Sequence, residues 1–426
     1  MAPKRFPPGF LWGTASSAHQ VEGQNSNNQW WDWEQRPGQI WHGDRSGDAC
    51  DWWRNAEADF DRAAALGQNA HRLSIEWSRI EPREGEFDQA ALNRYRAMLQ
   101  ALHERGITPM ITLHHFTHPR WLEAQGGWLN PSTPARFARF AGLAASELGD
   151  LCRLWCTINE PGVFAAFGYL FGTFPPGQAS LSDTLRVAGA LLRGHTAAAQ
   201  ALHRADAGLQ VGIVHRMQVF DPISPAPQHV AAAAALDYLF NEAVLLALRT
   251  GRLPPPFGCG QVVPGLRESS DFVGLNYYAR ERVAFDPRRP QGLFARRFTP
   301  QGVPQGDLTH EGTSYGEIYP AGLERVLRRA GRLGKPVYIC ETGLPDADDD
   351  QRPAMLLSYL AAAHRALAAG VDLRGVFIWT LVDNFEWLEG WGLRFGLYAL
   401  DQQTQRRTLR RSGALYAAIA RANAIP

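Results

Sequence analysis

Residues 69–116 read NAHRLSIEWSRIEPREGEFDQAALNRYRAMLQALHERGITPMITLHHF, and this stretch decides the fold class. Its two apolar runs, Asn69–Trp77 and Thr108–Phe116, are short and rich in β-branched residues, so they predict buried strands. Between them, the apolar residues of Gln89–Glu104 recur at helical spacing. Strand, helix and strand in this order predict a parallel pair joined by a crossover helix.

The same alternation runs along the whole chain. We predict strands at Phe10–Ser17, Asn69–Trp77, Thr108–Phe116, Leu151–Glu160, Leu209–Met217, Asp271–Tyr278, Pro336–Gly343 and Gly375–Asp383. We predict helices at Glu57–Leu66, Gln89–Glu104, Thr133–Leu148, Asp183–Arg204, Gln228–Leu248, Ala321–Arg332, Arg352–Ala369 and Gly413–Ala422. Eight such repeats without a second composition regime predict one domain over residues 1–426, a closed α/β barrel of the (β/α)8 TIM type. An open doubly wound sheet is disfavoured because no strand is followed by a Gly-rich phosphate loop.

Three loops rich in Pro and Gly elaborate this barrel. They are Phe171–Gly177, Leu253–Gly265 and Pro287–Gly306, and we expect them at the C-terminal face of the strands, where ligand loops belong. The last loop and its approach carry six arginines, at 280, 282, 288, 289, 296 and 297. Without interleaved aromatics or a nucleic-acid motif, they are interpreted as a solvated loop face.

Composition excludes several function classes. The chain of 426 residues has 43 Lys plus Arg against 42 Asp plus Glu, a net charge of +1 that is too balanced for an electrostatically driven nucleic-acid binder. Apolar runs break well before the roughly 20 residues of a membrane span, so no membrane partner is expected. The 5 cysteines are odd in number and scattered, and no export signal is visible in MAPKRFPPGF, so the cytoplasm is the expected compartment.

Polar residues collect where the predicted strands end. Because the C-terminal ends of barrel strands share one face, these side chains are expected to meet there. They are Gln20 and Glu22 after the first strand, Arg72 in the second, His114, His115 and His118 at the third, Asn159 and Glu160 at the fourth, Asn276, Tyr277 and Tyr278 at the sixth, Glu341 at the seventh, and Trp379, Glu386 and Trp387 at the eighth. The fifth strand is expected to contribute none.

Two carboxylates, Glu160 in CTINEPG and Glu341 in YICETGLP, follow strongly apolar strands. Either glutamate alone is equally well explained by a buried ion pair. Strands four and seven of eight, however, face each other across the mouth of a barrel. Opposed carboxylates are what cleavage of a glycosidic bond requires, because one must donate a proton to the leaving oxygen while the other attacks the anomeric carbon. Arg72, Asn159, Asn276 and Tyr278 are then candidate supporting donors.

From Phe6 to about Tyr416 the chain resembles glycoside hydrolase family 1, the β-glucosidase and β-glycosidase family. The resemblance is carried by seven motifs in family order, FPPGFLWGTASSAHQVEG, HRLSIEWSRI, TLHHFTHP, TINEP, FVGLNYY, PVYICETG and FIWTLVDNFEW. It implies a retaining exo-β-glycosidase, in the first place a β-glucosidase with room for β-galactosidase or β-fucosidase side activity. Its partners would be small β-glycosides or oligosaccharides, and no cofactor or metal is implied.

The resemblance also implies the role of each site residue. Glu160 would be the general acid and then the general base, and Glu341 the nucleophile, with carboxyl groups only about 5–5.5 Å apart. Arg72 and Tyr278 would lie beside Glu341. Sugar hydroxyls would be bound by Gln20, His115, Asn159 and Glu386, with Asn276 in support, while Trp379 would form the floor under the ring and Trp387 and Phe395 its apolar edges.

Glu386 separates two branches of the family. The phosphoglycosidase branch replaces this glutamate by a small hydroxyl residue and adds Lys and Tyr downstream, which hold a 6-phosphate. In this chain DNFEWLEGWGLRFGL keeps Glu386 and has Leu393 and Phe395 where those ligands are expected. Since a carboxylate repels a phosphorylated sugar, a free sugar is favoured.

Three residues depart from the family pattern. Thr342 replaces the Asn that usually follows the nucleophile, and since a β-branched residue tolerates positive φ poorly, the turn there is expected to differ. Phe116 replaces a Trp, which removes an indole donor. Gly316, in SYGEIYP, stands where many members have a Trp that flanks the leaving group, so that side of the site is expected to be roomier.

The residues also allow two alternatives to a glycosidase. The stretch HHFTH is the best candidate for a metal site, but its spacing suits no single helical face and no acidic ligand completes it. A sugar-binding barrel that has lost catalysis is a further alternative, although both glutamates are present. Cys340 precedes Glu341 in a strand and is expected to point away from it.

Overall fold

The computed structural model describes residues 3–426, and within them eight parallel strands close into a barrel. The strands are β1 (Leu11–Ala15), β2 (Ala70–Ser74), β3 (Thr108–His114), β4 (Leu154–Asn159), β5 (Gln210–Arg216), β6 (Phe272–Asn276), β7 (Val337–Thr342) and β8 (Leu373–Trp379). Each strand pairs with the next, and β8 pairs with β1. The predicted TIM barrel is confirmed. Seven strands fall within the predicted runs, and β8 begins two residues before its predicted start.

One main helix follows each of the eight barrel strands. These helices are α1 (Trp52–Ala65), α2 (Gln89–Glu104), α3 (Thr133–Leu148), α4 (Leu181–Ala205), α5 (Pro227–Thr250), α6 (Pro320–Gly331), α7 (Arg352–Ala368) and α8 (Arg411–Ala422). The start of α2 shows why they form where they do, because the Asp88 carboxylate accepts hydrogen bonds from the backbone N–H groups of Ala90 and Ala91. Shorter helices lie in the loops, at Ala18–Val21, Gln29–Glu34, Trp77–Ile80, Arg120–Ala124 and Pro161–Ala165.

Apolar side chains form two layers, one inside the barrel and one between the strands and the helices. The inner layer takes buried residues from every strand, Ala15, Ala70, Met110, Cys156, Val214, Phe272, Cys340 and Phe377 among them. Their neighbours along the strands, such as Ile111, Ile158 and Ile339, pack outward against the helices, as the two-residue period of a strand requires. Because the interior is filled, the mouth of the barrel is where a ligand has room.

Two of the three predicted loop positions are correct. Residues 171–177 follow β4 and residues 287–306 follow β6, so both lie at the carboxyl ends of the strands. The placement of Leu253–Gly265 was wrong, because this loop leaves α5 and leads into β6 at the opposite end. Residues 287–306 also contain a strand, Ala295–Phe298, which pairs with Arg280–Phe285 in a small sheet completed by Val219–Pro222.

Arg280 is not part of a solvated face. It is 8% exposed and donates hydrogen bonds to Glu317 and Asp221, so it holds the small sheet to the loop before α6. Outside the barrel, two more short strand pairs join Lys4–Arg5 to Ala424–Ile425 and Tyr398–Leu400 to Arg407–Leu409.

Helix α5 is long and apolar enough to cross a membrane by length and composition, with a mean hydropathy of 1.5. The expectation that every apolar run breaks early is therefore too strong here. In this fold α5 packs as an outer helix of the barrel, where Asp237 and Glu242 approach Arg329 of α6 at 2.9 and 3.9 Å. An outer helix of a barrel can thus have the length and the hydropathy of a membrane-spanning helix.

Candidate active site

Glu341 lies near the end of β7 and is 4% exposed. Its Oε1 accepts a hydrogen bond of 2.5 Å from Arg72 Nη1, and its Oε2 accepts one of 2.7 Å from the Tyr278 hydroxyl. Burial of the Arg72 guanidinium disfavours its charge, but the Glu341 carboxylate raises the pKa of Arg72 above its usual value. A cation on one oxygen and a phenol on the other fix the orientation of the Glu341 carboxyl group.

Glu160 lies where β4 turns into the helix Pro161–Ala165, and it is 3% exposed. Its backbone is left-handed, with φ 47° and ψ 61°, and the proline that follows disfavours a helical conformation at this position. Its Oε1 accepts a hydrogen bond of 2.7 Å from Asn276 Nδ2, while its Oε2 lies 3.9 Å from Arg216 Nη1. This turn therefore presents the side chain to neighbours from β5 and β6.

The electrostatic surroundings of Glu160 differ from those of Glu341. Burial raises the pKa of Glu160 to about 7, with Arg216 acting in the opposite direction and the negative charge of Glu341 adding to the rise. Glu160 consequently keeps a proton up to neutral pH. Glu160 is thus suited to the role of proton donor, and Glu341, between a guanidinium and a phenol, to the role of nucleophile.

One hydrogen-bond network joins the two carboxyl groups. Arg72, which binds Glu341, also donates from Nη2 to Asn159 Oδ1 at 2.7 Å. Asn276, which binds Glu160, donates to the same Asn159 oxygen at 3.2 Å. The side chain of Asn159 therefore connects the hydrogen-bond partners of both glutamates.

Strand pairing is irregular next to both glutamates. On β7 the register with both neighbouring strands shifts after Ile339, and on β4 the register with β5 shifts between Cys156 and Asn159. Such irregularities redirect side chains. Cys340 packs in the inner layer of the barrel, while the next side chain reaches Arg72, so the expectation that Cys340 points away from Glu341 by simple alternation was wrong.

Gln20, Glu386 and Trp379 form a second polar cluster at the mouth. Gln20 Nε2 donates to the carbonyl oxygen of Phe385 at 2.8 Å and lies 3.3 Å from Glu386 Oε2. The Trp379 indole N–H donates to the same Glu386 oxygen at 3.4 Å. Burial raises the pKa of Glu386 to about 7, while its hydrogen-bond donors lower it.

Aromatic rings surround these polar groups. The His115 ring stacks with Trp379 and Trp387 at centroid distances of 5.8 and 6.2 Å, and its Nε2 accepts a hydrogen bond of 3.2 Å from Asn159. Phe395 packs edge-on against Tyr278. All the predicted site residues are buried and are linked by these contacts into one cluster, namely Gln20, Arg72, His115, Asn159, Glu160, Asn276, Tyr278, Glu341, Trp379, Glu386, Trp387 and Phe395.

The three imidazoles of HHFTH are engaged separately. His114 Nε2 accepts a hydrogen bond from the Trp128 indole, His115 binds Asn159, and His118 pairs with Glu123 at 2.7 Å. Within residues 3–426 no three His, Cys, Asp or Glu side chains converge as metal ligands would.

Two residues that contact the site, Arg216 and Tyr315, were not predicted from the sequence. Arg216 ends β5, the strand expected to contribute nothing, and Tyr315 lies in the loop before α6 and donates a 2.9 Å hydrogen bond to Glu386 Oε1. A charged residue at the end of an apolar strand was a usable signal for Arg216. No pattern marks Tyr315, because loop residues have no period from which to infer their direction.

The departures from the family pattern have local explanations. Thr342 is the last residue of β7 and lies outside the left-handed region, so its β-branched side chain fits the extended backbone without strain. Gly316 has φ +120°, and a Cβ there would lie 2.6 Å from Ala279 Cβ and 2.9 Å from the Arg280 carbonyl oxygen. This backbone therefore excludes a large side chain at position 316.

Two clefts of about 430 and 330 Å³ lie elsewhere, near Ser269 and Lys335, where β6 and β7 begin. They are at the amino ends of the strands, opposite the mouth. In barrels of this type chemistry is carried out at the carboxyl ends, so we assign the site to the mouth.

Comparisons with known proteins identify the family of this chain. The sequence profile of Glycosyl hydrolase family 1 matches residues 2–256 and 260–425. Beta-glucosidase A of Thermotoga maritima is 32% identical over 99% of this chain and 99% of its own length. A beta-galactosidase of Sulfolobus acidocaldarius is 30% identical, with 99% of this chain and 96% of its own length aligned.

Solved structures give the same result. A beta-glycosidase from Pyrococcus horikoshii superposes with a TM-score of 0.91 at 36% identity, covering 100% of this chain and 96% of that one. A Thermotoga maritima family 1 glycoside hydrolase complexed with a cyclophellitol analogue transition state mimic superposes with a TM-score of 0.93 at 31% identity, covering 100% of both chains. Since the family profile spans nearly the whole sequence and the barrel carries its chemistry at the expected end, this chain belongs to glycosyl hydrolase family 1 and is a glycoside hydrolase.

Proposed function

We propose that the protein is a retaining exo-β-glycosidase, in the first place a β-glucosidase, that cleaves non-phosphorylated terminal β-D-glycosides. The observation that carries the proposal is the unequal pair of glutamates, one buried and protonated up to about neutral pH, the other held between a guanidinium and a phenol. Such a pair can protonate a leaving oxygen and attack an anomeric carbon in the same encounter.

In the first step Glu341 attacks the anomeric carbon. The bond between that carbon and the glycosidic oxygen breaks, and Glu160 gives its proton to the departing oxygen. The product of this step is a glycosyl ester on Glu341, and Glu160 is left ionised. Asn159, between the partners of both glutamates, is suited to the 2-hydroxyl, where hydrogen bonds strengthen in the transition state.

The second step reverses these roles. Once Glu341 is an ester, its negative charge no longer raises the pKa of Glu160, so Glu160 stays ionised and is in the form that accepts a proton from the attacking water. The resulting hydroxide attacks the anomeric carbon, and Glu341 leaves as the carboxylate. Two inversions give net retention of configuration.

The glycone is assigned to the cluster around Glu386. Gln20, His115 and Glu386 offer amide, imidazole and carboxylate groups to sugar hydroxyls, and Trp379 offers a flat apolar face. Because these side chains are deeply buried, they suit the terminal sugar of a chain rather than an internal one. An axial 4-hydroxyl or a missing 6-hydroxyl changes few of these contacts, which supports β-galactosidase or β-fucosidase side activity.

A phosphorylated glycone is disfavoured. Leu393 and Phe395 are 3% and 2% exposed and pack in the inner apolar layer, where they offer no cation to a phosphate. Glu386 would repel it. A glucoside compared with its 6-phosphate tests this point, and a preference for the phosphate would refute it.

The test of the function uses aryl β-glycosides and two variants. Glu341→Gly should lose nearly all turnover of an aryl β-glucoside. Glu160→Ala should keep a fast first step only when the leaving group needs no proton, and it should lose turnover at the second step, because no base activates water. Azide should restore Glu160→Ala, giving a β-glycosyl azide. The matched control is Glu389→Gln, since Glu389 is also buried at this face but pairs with His310. Undiminished turnover by folded Glu341→Gly would end the proposal.

We also propose the cytoplasm as the compartment in which the enzyme works. All five cysteines are free thiols, and four of them are buried, which suits a reducing compartment. Fractionation of the native host is the test, and recovery of the enzyme outside the cytoplasm would contradict it.

A further inference from the structure

We propose that the leaving-group side of the site binds an anionic aglycone, one that carries a carboxylate or a phosphate, through Arg216. The inference rests on the proposed β-glycosidase function and gives it a substrate class. At the mouth of the barrel the Arg216 guanidinium has N–H donors that no acceptor uses.

Arg216 has no hydrogen-bond acceptor of its own among residues 3–426. Its nearest carboxylate oxygen is Glu160 Oε2, 3.9 Å from Nη1, although the Arg216 side chain is only 19% exposed. By contrast, Arg72 donates to Glu341, Asn159 and Thr112. A guanidinium has five N–H donors, and leaving them unpaired in a mostly buried position is unfavourable.

Two aromatic rings hold Arg216 without using those donors. Its guanidinium carbon lies 4.9 Å from the centroid of the Tyr278 ring and 5.9 Å from that of Tyr315. Stacking of this kind fixes a guanidinium while its N–H groups stay free for an oxyanion. The planar fork then suits the two oxygens of a carboxylate or a phosphate.

The leaving group must pass close to this fork. Glu160 Oε1 is occupied by Asn276, so Oε2 is the oxygen free to carry the proton to the glycosidic oxygen. That same Oε2 is the atom nearest to Arg216. The aglycone begins at the glycosidic oxygen, so its first atoms lie near this Oε2.

The charge of Glu160 changes during the reaction, and the charge available to pair with Arg216 changes with it. While Glu160 holds its proton, no ionised carboxylate of the described residues lies within 4.0 Å of Arg216, although Glu281 acts on it from farther away, and an anionic aglycone can supply a direct partner. After the aglycone departs, Glu160 is ionised and Arg216 stabilises its charge. A neutral aglycone leaves the guanidinium unpaired throughout the first step.

The experiment compares matched aglycones. The substrates are 4-carboxyphenyl β-D-glucoside and its neutral carboxamide, 4-carbamoylphenyl β-D-glucoside, with the corresponding aryl phosphate as a second anionic arm. The quantity measured is the ratio of kcat/KM values, anionic over neutral, for the wild type and for Arg216→Gln, Arg216→Lys and Arg297→Gln. Arg297→Gln is the control because it also removes one positive charge, from the strand Ala295–Phe298, where Arg297 pairs with Glu281 rather than with Glu160.

We expect the wild type to favour at least one anionic substrate, and Arg216→Gln to lower that ratio about tenfold, the effect of one hydrogen bond to a charged group. Arg216→Lys should retain part of the ratio, and Arg297→Gln all of it. The preferred arm distinguishes carboxylate from phosphate. Since each ratio comes from one preparation, partial misfolding of a variant cancels.

A ratio that stays unchanged in Arg216→Gln, or a wild type that favours the carboxamide over both anions, would overturn the inference. These outcomes leave the proposed function intact. Failure of the wild type to cleave even the neutral glucoside would instead contradict the function, and the inference with it.

Discussion

At the scale of single residues, the protonation of Glu160 governs the reaction. Four groups from four strands face its carboxyl group, namely Arg72, Arg216, Asn276 and Glu341. Burial outweighs the two arginines and raises the pKa of Glu160 to about 7. The acid form, which the first step needs, is therefore lost as the pH rises through about 7.

The loss of the acid form of Glu160 above about pH 7 predicts how the activity depends on pH. For a neutral aryl glucoside, kcat/KM of the wild type should fall above about pH 7. In Arg216→Gln the alkaline limb should move upward by about one pH unit, because a cation that lowers the pKa of Glu160 is gone. Arg297→Gln should leave the limb in place. A limb that stays fixed in Arg216→Gln, or moves downward, would show that Arg216 does not act on Glu160.

Tyr315 gives a second prediction at this scale. Its hydroxyl donates to Glu386 and lowers the pKa of that carboxyl, so Tyr315→Phe should leave Glu386 protonated over a wider range. A protonated carboxyl loses part of its capacity to accept bonds from sugar hydroxyls. KM for a glucoside should therefore rise about fivefold at pH 6 and less at pH 8. The same increase at both values, or a fall in KM, would contradict this role.

The limits of the sequence are plain at this scale. Glu160, Glu341 and their donors were predictable because each follows an apolar strand, and the geometry of a barrel then gathers them. Arg216 was overlooked, and Tyr315 could not be found, because it reaches Glu386 from an irregular loop. The orientation of Glu341 beside Cys340 depends on a shift of register that alternation along a strand does not encode.

At the scale of elements, the loop before α6 is held by backbone pairing. Arg280 and Glu317 exchange backbone hydrogen bonds of 3.0 and 2.8 Å, and their side chains form an ion pair. Gly316 lies against this pairing, with a left-handed φ and no room for a Cβ. The path of the loop therefore leaves no room for the tryptophan that many family members have at position 316.

Gly316→Ala should accordingly lower the melting temperature, with a cost of about 1–3 kcal/mol in the free energy of unfolding. Gly312→Ala is the control, because Gly312 also has a positive φ but has nothing within 4 Å of its Cβ position. The difference between the two variants measures the contact with Ala279 and Arg280 together with the greater strain of an alanine at φ +120° than at +72°. Equal melting temperatures for both would show that the loop adjusts freely.

The sequence predicted regular elements better than connections. The barrel strands and helices follow from apolar periodicity, which burial enforces along their length. Loop 253–265 was assigned to the wrong end because composition identifies a loop but not the end of the barrel at which it lies. The strand Ala295–Phe298 was hidden in a stretch rich in Pro, Gly and Arg, and only its pairing with Arg280–Phe285 defines it.

At the scale of the whole molecule, the site lowers the stability of the fold that supports it. The pKa of Glu160 is raised from 4.5 to about 7 on folding, so between these values the folded state holds a proton that the unfolded state releases. Its contribution to the free energy of unfolding therefore falls as the pH rises from 4.5 toward 7, and stays low above that.

Glu160→Gln should remove this dependence. We expect the variant to melt a few degrees above the wild type at pH 8, and much closer to it at pH 5, because the neutral amide resembles the protonated acid. Paired calorimetric scans at the two values measure the change. A variant less stable than the wild type at pH 8 would mean that the ionised carboxylate is well accommodated.

The central claim is that Glu341 forms a covalent bond to the sugar while Glu160 serves as acid and base. The most direct measurement is mass spectrometry of the enzyme after incubation with a 2-deoxy-2-fluoro-β-glucoside that has an activated leaving group. This reagent slows both steps, and the good leaving group allows the intermediate to accumulate. The account predicts one sugar per chain, attached to the peptide that contains Glu341. A label on Glu160 or elsewhere, or active enzyme that accumulates no label, would contradict it.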